Sequence, residues 1–248
     1  VNLGLMRTLM LSKTQSDILA MFEIALGSSS NPTIAGTKLA TGIRDYFLLT
    51  KSDQAATTLL WNLWMILLNV VRTTPLDHPW QNAIITAVKQ LRSTDTPIVN
   101  IRGCTLKWAY LPHLSKYLFE NWADPTNFVE ICTPVSMEVW KRWNSFAAHL
   151  LTEDFTQLTV LAYWQLASAL ETRPPSSQDP AVLDCKLWAA TEWLIRCGGV
   201  LYKHISFKGH LDEQTIVSIP TGPLCEGLEI PVRSLERWNF WRLRLTQL

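Results

Sequence analysis

DQAATTLLWNLWMILLNVVR, residues 53–72, decides the fold class. Ser52 and Asp53 stand just ahead of the apolar residues, and either side chain can accept from the free N–H groups of a first helical turn. Beyond them the apolar residues run almost all the way round, and the only polar stripe is Thr58, Asn62, Asn69 and Arg72. A helix that is apolar on nearly every side is buried on nearly every side. The segment is therefore expected to be the central helix of a bundle. Its uncharged run from Gln54 to Val71 is also the one transmembrane candidate, but it is at the short limit for a span and contains two asparagines and two threonines. A buried helix is the better reading.

The next stretch, TPLDHPWQN (74–82), sets a carboxylate beside an imidazole between prolines. Pro79 suits a first helical turn, where its missing N–H costs nothing, and Asp77 or His78 then stands at the cap. The competing reading is a catalytic Asp77–His78 pair on a loop between rigid helices. A helix follows from Pro79 to Arg92, with Trp80, Ile84, Ala87, Val88 and Leu91 on one face and Gln81, Asn82, Lys89 and Gln90 on the other.

Helical spacing continues along the chain, and no alternating strand longer than four residues stands out. A helix is expected after Pro112, with Leu114, Tyr117, Leu118 and Trp122 inward. Helices at 135–152 and 155–171 are joined by a short acidic turn, hence antiparallel neighbours. Arg173-Pro174-Pro175-Ser176-Ser177 breaks the pattern. The longest helix runs over 180–204 and is expected to end or kink at Gly198-Gly199. Residues 205–231 look irregular, and a last helix starts near Val232. The expected architecture is all-α: one helical bundle-like domain of about 8–10 helices over residues 1–248, with 1–50 as a peripheral helical segment.

Composition narrows the function. Hydrophobic residues make up 48% and charged residues 17%, below the usual quarter or so, so most of the chain folds compactly. Lys and Arg number 22 against 21 Asp and Glu, which leaves no global field for nucleic acid or an anionic membrane. The five cysteines, at 104, 132, 185, 197 and 225, show no CxxC and no close pairing with histidine. They read as reduced thiols of a cytoplasmic protein, with no metal site. The N-terminal VNLGLMRTLMLSKTQSD has one Arg and a broken apolar run, a poor secretory signal. It lacks an initiator Met, so residues upstream of Val1 are expected.

The phrases LLWNLWMILL, TTPLDHPWQNAIITAVKQL, LKWAYLPHLSKYLFENW, WKRWNSFAAHLL, LWAATEWLIRCGGVLY and GPLCEGLEIPVRSLERWNFWRLRL, in this order, resemble a fungal family of helical proteins known only as a domain of unknown function. The likeness covers roughly residues 55–245. It implies an intracellular, mainly helical fungal protein and carries over no catalytic residue. Some small fungal proteins act in secondary metabolism, which raises the expectation of an enzyme.

No Walker loop, GxGxxG, HExxH, GxSxG or DDxxD-like run occurs. Glu192 and Arg196 read as a solvated i,i+4 pair, and His149 as part of a solvent-facing stripe. Asn144 and Gln165 fall on apolar faces, where they either complete a buried network or orient a ligand. Arg233, Arg237, Arg242 and Arg244 interleave with Trp238 and Trp241, which suits Arg stems over Trp faces.

Twelve tryptophans without a nucleophile motif point to a Trp-lined pocket and to chemistry done by shape and hydrogen bonding. The leading expectation is a cofactor-independent cyclase or isomerase (pericyclase type) of fungal secondary metabolism, acting on a hydrophobic small molecule. Asp77, His78 and His113 are the acid/base candidates. Trp61, Trp64, Trp140, Trp143, Asn144, Gln165 and Trp188 are the substrate-binding candidates. One rival is a non-catalytic helical interaction module. The other is a transferase using an RNA-linked substrate, which would gather Arg233, Arg237, Arg242, Lys107 and Lys116 on one face. The expected partner is the small molecule, without a membrane span and without nucleic acid; a homodimer is left open.

Overall fold

The computed structural model describes residues 11–50, 52–101, 104–128, 130–152, 155–175 and 179–248, without the side chains of 99–101 and 104. The expectations about the first ten residues and the acidic turn at 153–154 lie outside the described residues. The contacts of the chain gather into two units, Val1–Ala123 and Asp124–Leu248. Eleven α-helices and one hairpin make up the described regular structure apart from short 3₁₀ turns, so the fold is all-α.

In the first unit, α1 (Lys13–Gly27), α2 (Pro32–Leu48), α3 (Asp53–Thr73) and α4 (Pro79–Arg92) lead to the hairpin β1 (Pro97–Ile101) and β2 (Cys104–Lys107), and then to α5 (Leu114–Glu120). Ser52 caps α3 by accepting from Ala55 N–H, and ten α3 residues are buried, as an all-round apolar helix requires. It is the one described helix long and apolar enough to cross a membrane, and 56% of its apolar window is buried in the protein. The N-terminal helices, expected at the periphery, contribute Phe22, Leu39 and Ile43 to the core with no exposed surface. α2 meets α4 at Gly36, where a Cβ would stand 2.5 Å from the Ala83 carbonyl oxygen. Only a glycine allows so close an approach.

Two expectations need correction here. Gln81 does not face solvent: it is buried and donates to the Val71 and Thr74 carbonyls at 3.1 and 2.8 Å, at the end of α3. The hairpin was not legible as strand. Antiparallel β1 and β2 pair Val99 with Leu106 and Ile101 with Cys104, with an irregularity between Pro97 and Val99. The sequence there, Pro-Ile-Val-Asn-Ile, is rich in β-branched residue types, which favour extended backbone.

In the second unit, a 3₁₀ turn (Pro125–Asn127) precedes α6 (Pro134–Thr152), α7 (Thr159–Leu170), α8 (Pro180–Ser206), α9 (Glu213–Ser218), α10 (Pro223–Glu226) and α11 (Leu235–Gln247). α6 and α7, expected as mutual neighbours, each pack most extensively on α8. α8 does not end at Gly198-Gly199 but continues to Ser206. Two glycines cost a helix interior about 1 kcal/mol each; burial of Cys197, Leu201 and Ile205 on either side of them holds the helix together. The 205–231 stretch contains the short α9 and α10.

Candidate functional site

A cleft of about 590 Å³ opens in the second unit where four short pieces of chain meet. Each is placed by its own helix signals. Asp124 caps the 3₁₀ turn, accepting from Thr126 N–H at 2.8 Å and from its hydroxyl at 2.6 Å, which sets Thr126 and Asn127 on one wall. α7 ends at Leu170, and Pro174-Pro175 keeps the helix from resuming, since neither has an N–H to donate. This presents Ser168, Thr172 and Arg173 to the cleft. Asp179 caps α8 by accepting from Ala181 N–H at 2.9 Å, ahead of Pro180 in the first turn. Val182, Leu183 and Lys186 follow along one α8 face, and Cys132 completes the lining.

The charges of this cleft are unequally committed. Both nearby carboxylates, Asp124 and Asp179, are occupied by capping bonds. Among the described residues Lys186 Nζ reaches only the Asn127 side-chain oxygen, at 3.5 Å. Among the described residues neither Lys186 nor Arg173 has a carboxylate partner. Burial, and then the charges of Asp124 and Asp179, push the Cys132 thiol up from its ordinary value. It stays a neutral thiol at neutral pH and is a poor nucleophile.

Just past the end of α7, next in sequence to the lining residue Thr172 but outside the lining itself, stands an ion pair with no local sequence signal. Glu171 and Arg237 face each other with both side chains wholly buried, Nε to Oε1 at 2.7 Å. Arg237 also donates to the Ile219, Pro220 and Val232 carbonyls. Its guanidinium lies 5.3 Å from the Trp241 ring and 5.2 Å from the Tyr163 ring. Trp241 Nε1 donates to Glu171 Oε1 at 2.6 Å, and Gly222 N–H to Oε2. Buried charges need this degree of hydrogen bonding to persist. A Cβ on Gly222 would stand 2.7 Å from the Glu171 Cβ, so glycine is required there. The expected Arg–Trp stacking of the last helix is present at Arg237, whereas Arg233 lies over Phe207. Because Arg237 has no exposed surface, it is absent from any face that could bind RNA. Beside the pair, the Tyr163 hydroxyl meets His204 Nδ1 at 3.0 Å.

The expected acid/base residues lie in the first unit. His78 caps α4, its Nδ1 accepting from Trp80 N–H at 3.2 Å, and Asp77 is exposed beside it. This is the cap geometry expected of the TPLDHPWQN stretch, with the histidine as the capping residue. His113 stacks on Trp61, centroids 5.2 Å apart and planes 15° from parallel. Tyr117 tilts against the same indole, and Lys116 stands over it. Trp64 is fully buried and donates to the Pro112 carbonyl at 2.7 Å. Leu111 and His113, on either side of that proline, both have left-handed backbone, φ 41° and 69°. A histidine tolerates this region better than most residues. His113 Nε2 is buried with no hydrogen-bond partner among the described residues. Burial, with Lys116 adding to it, pulls the His113 pKa down.

A folded-state pKa below the unfolded one makes the unfolded chain the better proton acceptor. Stability from this residue is complete above about pH 6.5 and falls as the pH drops below that value. His113→Phe keeps a ring for the stack and removes the unpartnered nitrogen. In urea unfolding it is expected to change stability at pH 7.5 by no more than about 1 kcal/mol and to lose less stability than wild type at pH 5.5.

The expected ligand-binding residues of the second unit are distributed through its helices. Trp140 and Trp143 are nearly buried on α6. Asn144 has no exposed surface: its Nδ2 donates to the Trp140 carbonyl at 2.9 Å and its Oδ1 accepts from Trp193 Nε1 at 2.8 Å. Both ends of the amide are used within the core. Gln165 is buried on α7, and Trp188 is half-buried on α8 with Lys141 Nζ 5.9 Å from its ring. The lining of the cleft contains no tryptophan. Glu192 and Arg196 pair as expected, yet the Glu192 side chain is only 12% exposed. Arg196 also donates to His149 Nε2 at 2.8 Å, and His149 Nδ1 holds the Ser145 carbonyl at 2.9 Å. The stripe read as solvent-facing therefore ties α6 to α8. Cys185 and Cys197, buried beside α6, have thiols pushed up to about 12 and are unreactive.

A second cleft, of about 560 Å³, lies in the first unit among Thr14, Tyr46, Ser52, Gln54 and Thr58. Among the described residues its lining has no charged side chain. Among the described residues no three His, Cys, Asp or Glu side chains gather where a metal could bind.

These features define an all-α protein with a polar-rimmed cleft and, among the described residues that line it, no activated nucleophile. A family model matches residues 64–245, and the chain belongs to that family, the DUF3632 proteins of unknown function. No curated protein and no solved structure matches the chain. The match begins at Trp64 of α3 and takes in the whole lining of the second unit's cleft.

Proposed function

We propose that the protein binds a small organic molecule, non-covalently, in the cleft between the end of α7 and the start of α8. The observation that carries this reading is the cleft itself. Its volume of about 590 Å³ lies in the range that takes a metabolite-sized ligand. Its lining alternates apolar Ala169, Val182 and Leu183 with hydroxyl, amide and charged groups able to fix an orientation. The raised Cys132 thiol argues for binding without a covalent intermediate. Any reaction there would be a rearrangement helped by positioning and hydrogen bonds, which fits a cofactor-independent cyclase or isomerase of a hydrophobic intermediate. Work in fungal secondary metabolism is the biological setting we propose for it.

The test is to fill the cleft. Val182 is a half-buried lining residue on α8, so Val182→Trp places an indole in the cavity with little demand on the core. Phenylnaphthylamine, an apolar dye of metabolite size, is expected to bind the wild type and to lose about tenfold or more in affinity for the variant, with Tm nearly unchanged. Equal binding to both proteins would remove the cleft as the ligand site.

A second reading, a helical interaction module, draws support from Phe128, Ile131 and Val135, which are 56, 51 and 74% exposed within a few residues of each other. Adjacent exposed apolar side chains of this kind suit a protein partner. Charged replacements at Ile131 and Val135 would then abolish partner binding and leave dye binding intact.

A further inference from the structure

We infer that the ligand of this cleft carries an anionic group, of the carboxylate or sulfonate kind, held between Arg173 and Lys186 with its apolar body against Ala169, Val182 and Leu183. The inference rests on the reading of the cleft as the ligand site and adds the chemical class. Four observations lead to it. Both cations line one cavity, from opposite sides of the Pro174-Pro175 break. Neither has a carboxylate partner among the described residues. Asp179 and Asp124, the carboxylates that act on this region, are already engaged by backbone N–H groups. Lys186, finally, is half-buried, and among the described residues its one hydrogen bond is a long one to the Asn127 amide oxygen.

Among the described residues the lining holds two cations, Arg173 and Lys186, against one carboxylate, Asp179, so its charge is net positive and favours an incoming anion. Asn127 stands in the same lining, and its amide N–H groups can donate to oxygens that the two cations do not reach, whereas the Thr126 and Thr172 hydroxyls already donate to Asp124 and the Ala167 carbonyl. On α8 itself no acidic residue lies three or four positions from Lys186, so its own helix supplies no i,i+3 or i,i+4 partner. Arg173 offers a planar fork suited to two oxygens of one acid group, and Lys186 a single point charge beside it. Together they select an organic acid over a neutral molecule of the same shape.

Two dyes that share an aromatic skeleton separate the claims. Anilinonaphthalene sulfonate carries the anion; phenylnaphthylamine does not. Fluorescence titration at low salt is expected to show tighter binding of the sulfonate by wild type. Lys186→Gln and Arg173→Gln are each expected to weaken the sulfonate by about tenfold and to leave the amine within about twofold. Added salt is expected to erode the difference between the dyes. Both replaced residues retain solvent exposure, so the variants are expected to keep the wild-type melting curve. Sulfonate binding unchanged in both variants would overturn the anion claim while leaving the cleft in place. Binding of both dyes unchanged in Val182→Trp would overturn the cleft reading beneath it.

Discussion

Arg237→Leu is expected to destabilise the protein by about 3–5 kcal/mol, the usual cost of removing one member of a buried ion pair. The reason lies in what remains behind. Glu171 keeps its carboxylate at a place with no solvent access, answered by the neutral donors Trp241 Nε1, the Gly222 N–H and the Cys225 thiol. The Ile219, Pro220 and Val232 carbonyls lose their donor at the same time. Because those carbonyls belong to the stretch between α8 and α11, this stretch is expected to loosen first and to become the first site of limited proteolysis. The double replacement Glu171→Gln with Arg237→Leu is expected to recover part of the loss, since no bare carboxylate is then buried. Urea unfolding followed by circular dichroism measures both. A single variant within about 0.5 kcal/mol of wild type would show that the pair contributes nothing, as many exposed pairs do.

The second large effect is expected at Asn144. Leucine there removes the acceptor of Trp193 Nε1, which lies on a side chain with no exposed surface. Stranding a buried donor costs about 1–3 kcal/mol, and the branched side chain adds strain in a tight core. The melting temperature is therefore expected to fall, while binding of dye in the cleft stays at its wild-type value. The opposite pair of results, an unmoved melting temperature with lost binding, would make Asn144 a ligand contact.

The helical class was legible because α3 repeats its apolar character on every side, and a single segment of that kind forces other helices around it. Caps were legible too: Ser52, His78 with Pro79, and the breaker after Arg173 are local signals that need no knowledge of the rest of the chain. What sequence did not reveal was non-local. Glu171 looks like the last residue of a helix, and Arg237 like one basic residue among four; their pairing spans 66 positions and leaves no local pattern. Gln81 falls on the polar side of its helix by period, but the end of α3 brings the Val71 and Thr74 carbonyls there and the amide turns inward to donate to them. Periodicity marks a direction on a helix, not what the next helix brings to it.

The cleft was illegible for the same reason. Its lining comes from a 3₁₀ turn, a loop cysteine, the end of one helix and the start of another, and each polar residue reads separately as a cap or a surface group. The one usable hint was Lys186, a cation without an acid at helical spacing beside Leu183 and Leu187. The tryptophans drew attention instead. They are the bulk of two cores: Trp64 and Trp193 are wholly buried, and their indole N–H groups are spent on Pro112 and Asn144.

Hydrogen–deuterium exchange with and without bound dye tests the central claim most directly, because it reports where a ligand sits without assuming a reaction. Anilinonaphthalene sulfonate is expected to slow exchange in peptides covering 124–128, 168–175 and 179–187, the segments that form the cleft. Protection confined to the Trp61–His113–Tyr117 cluster, or to the Thr14–Tyr46 cleft of the first unit, would contradict the account.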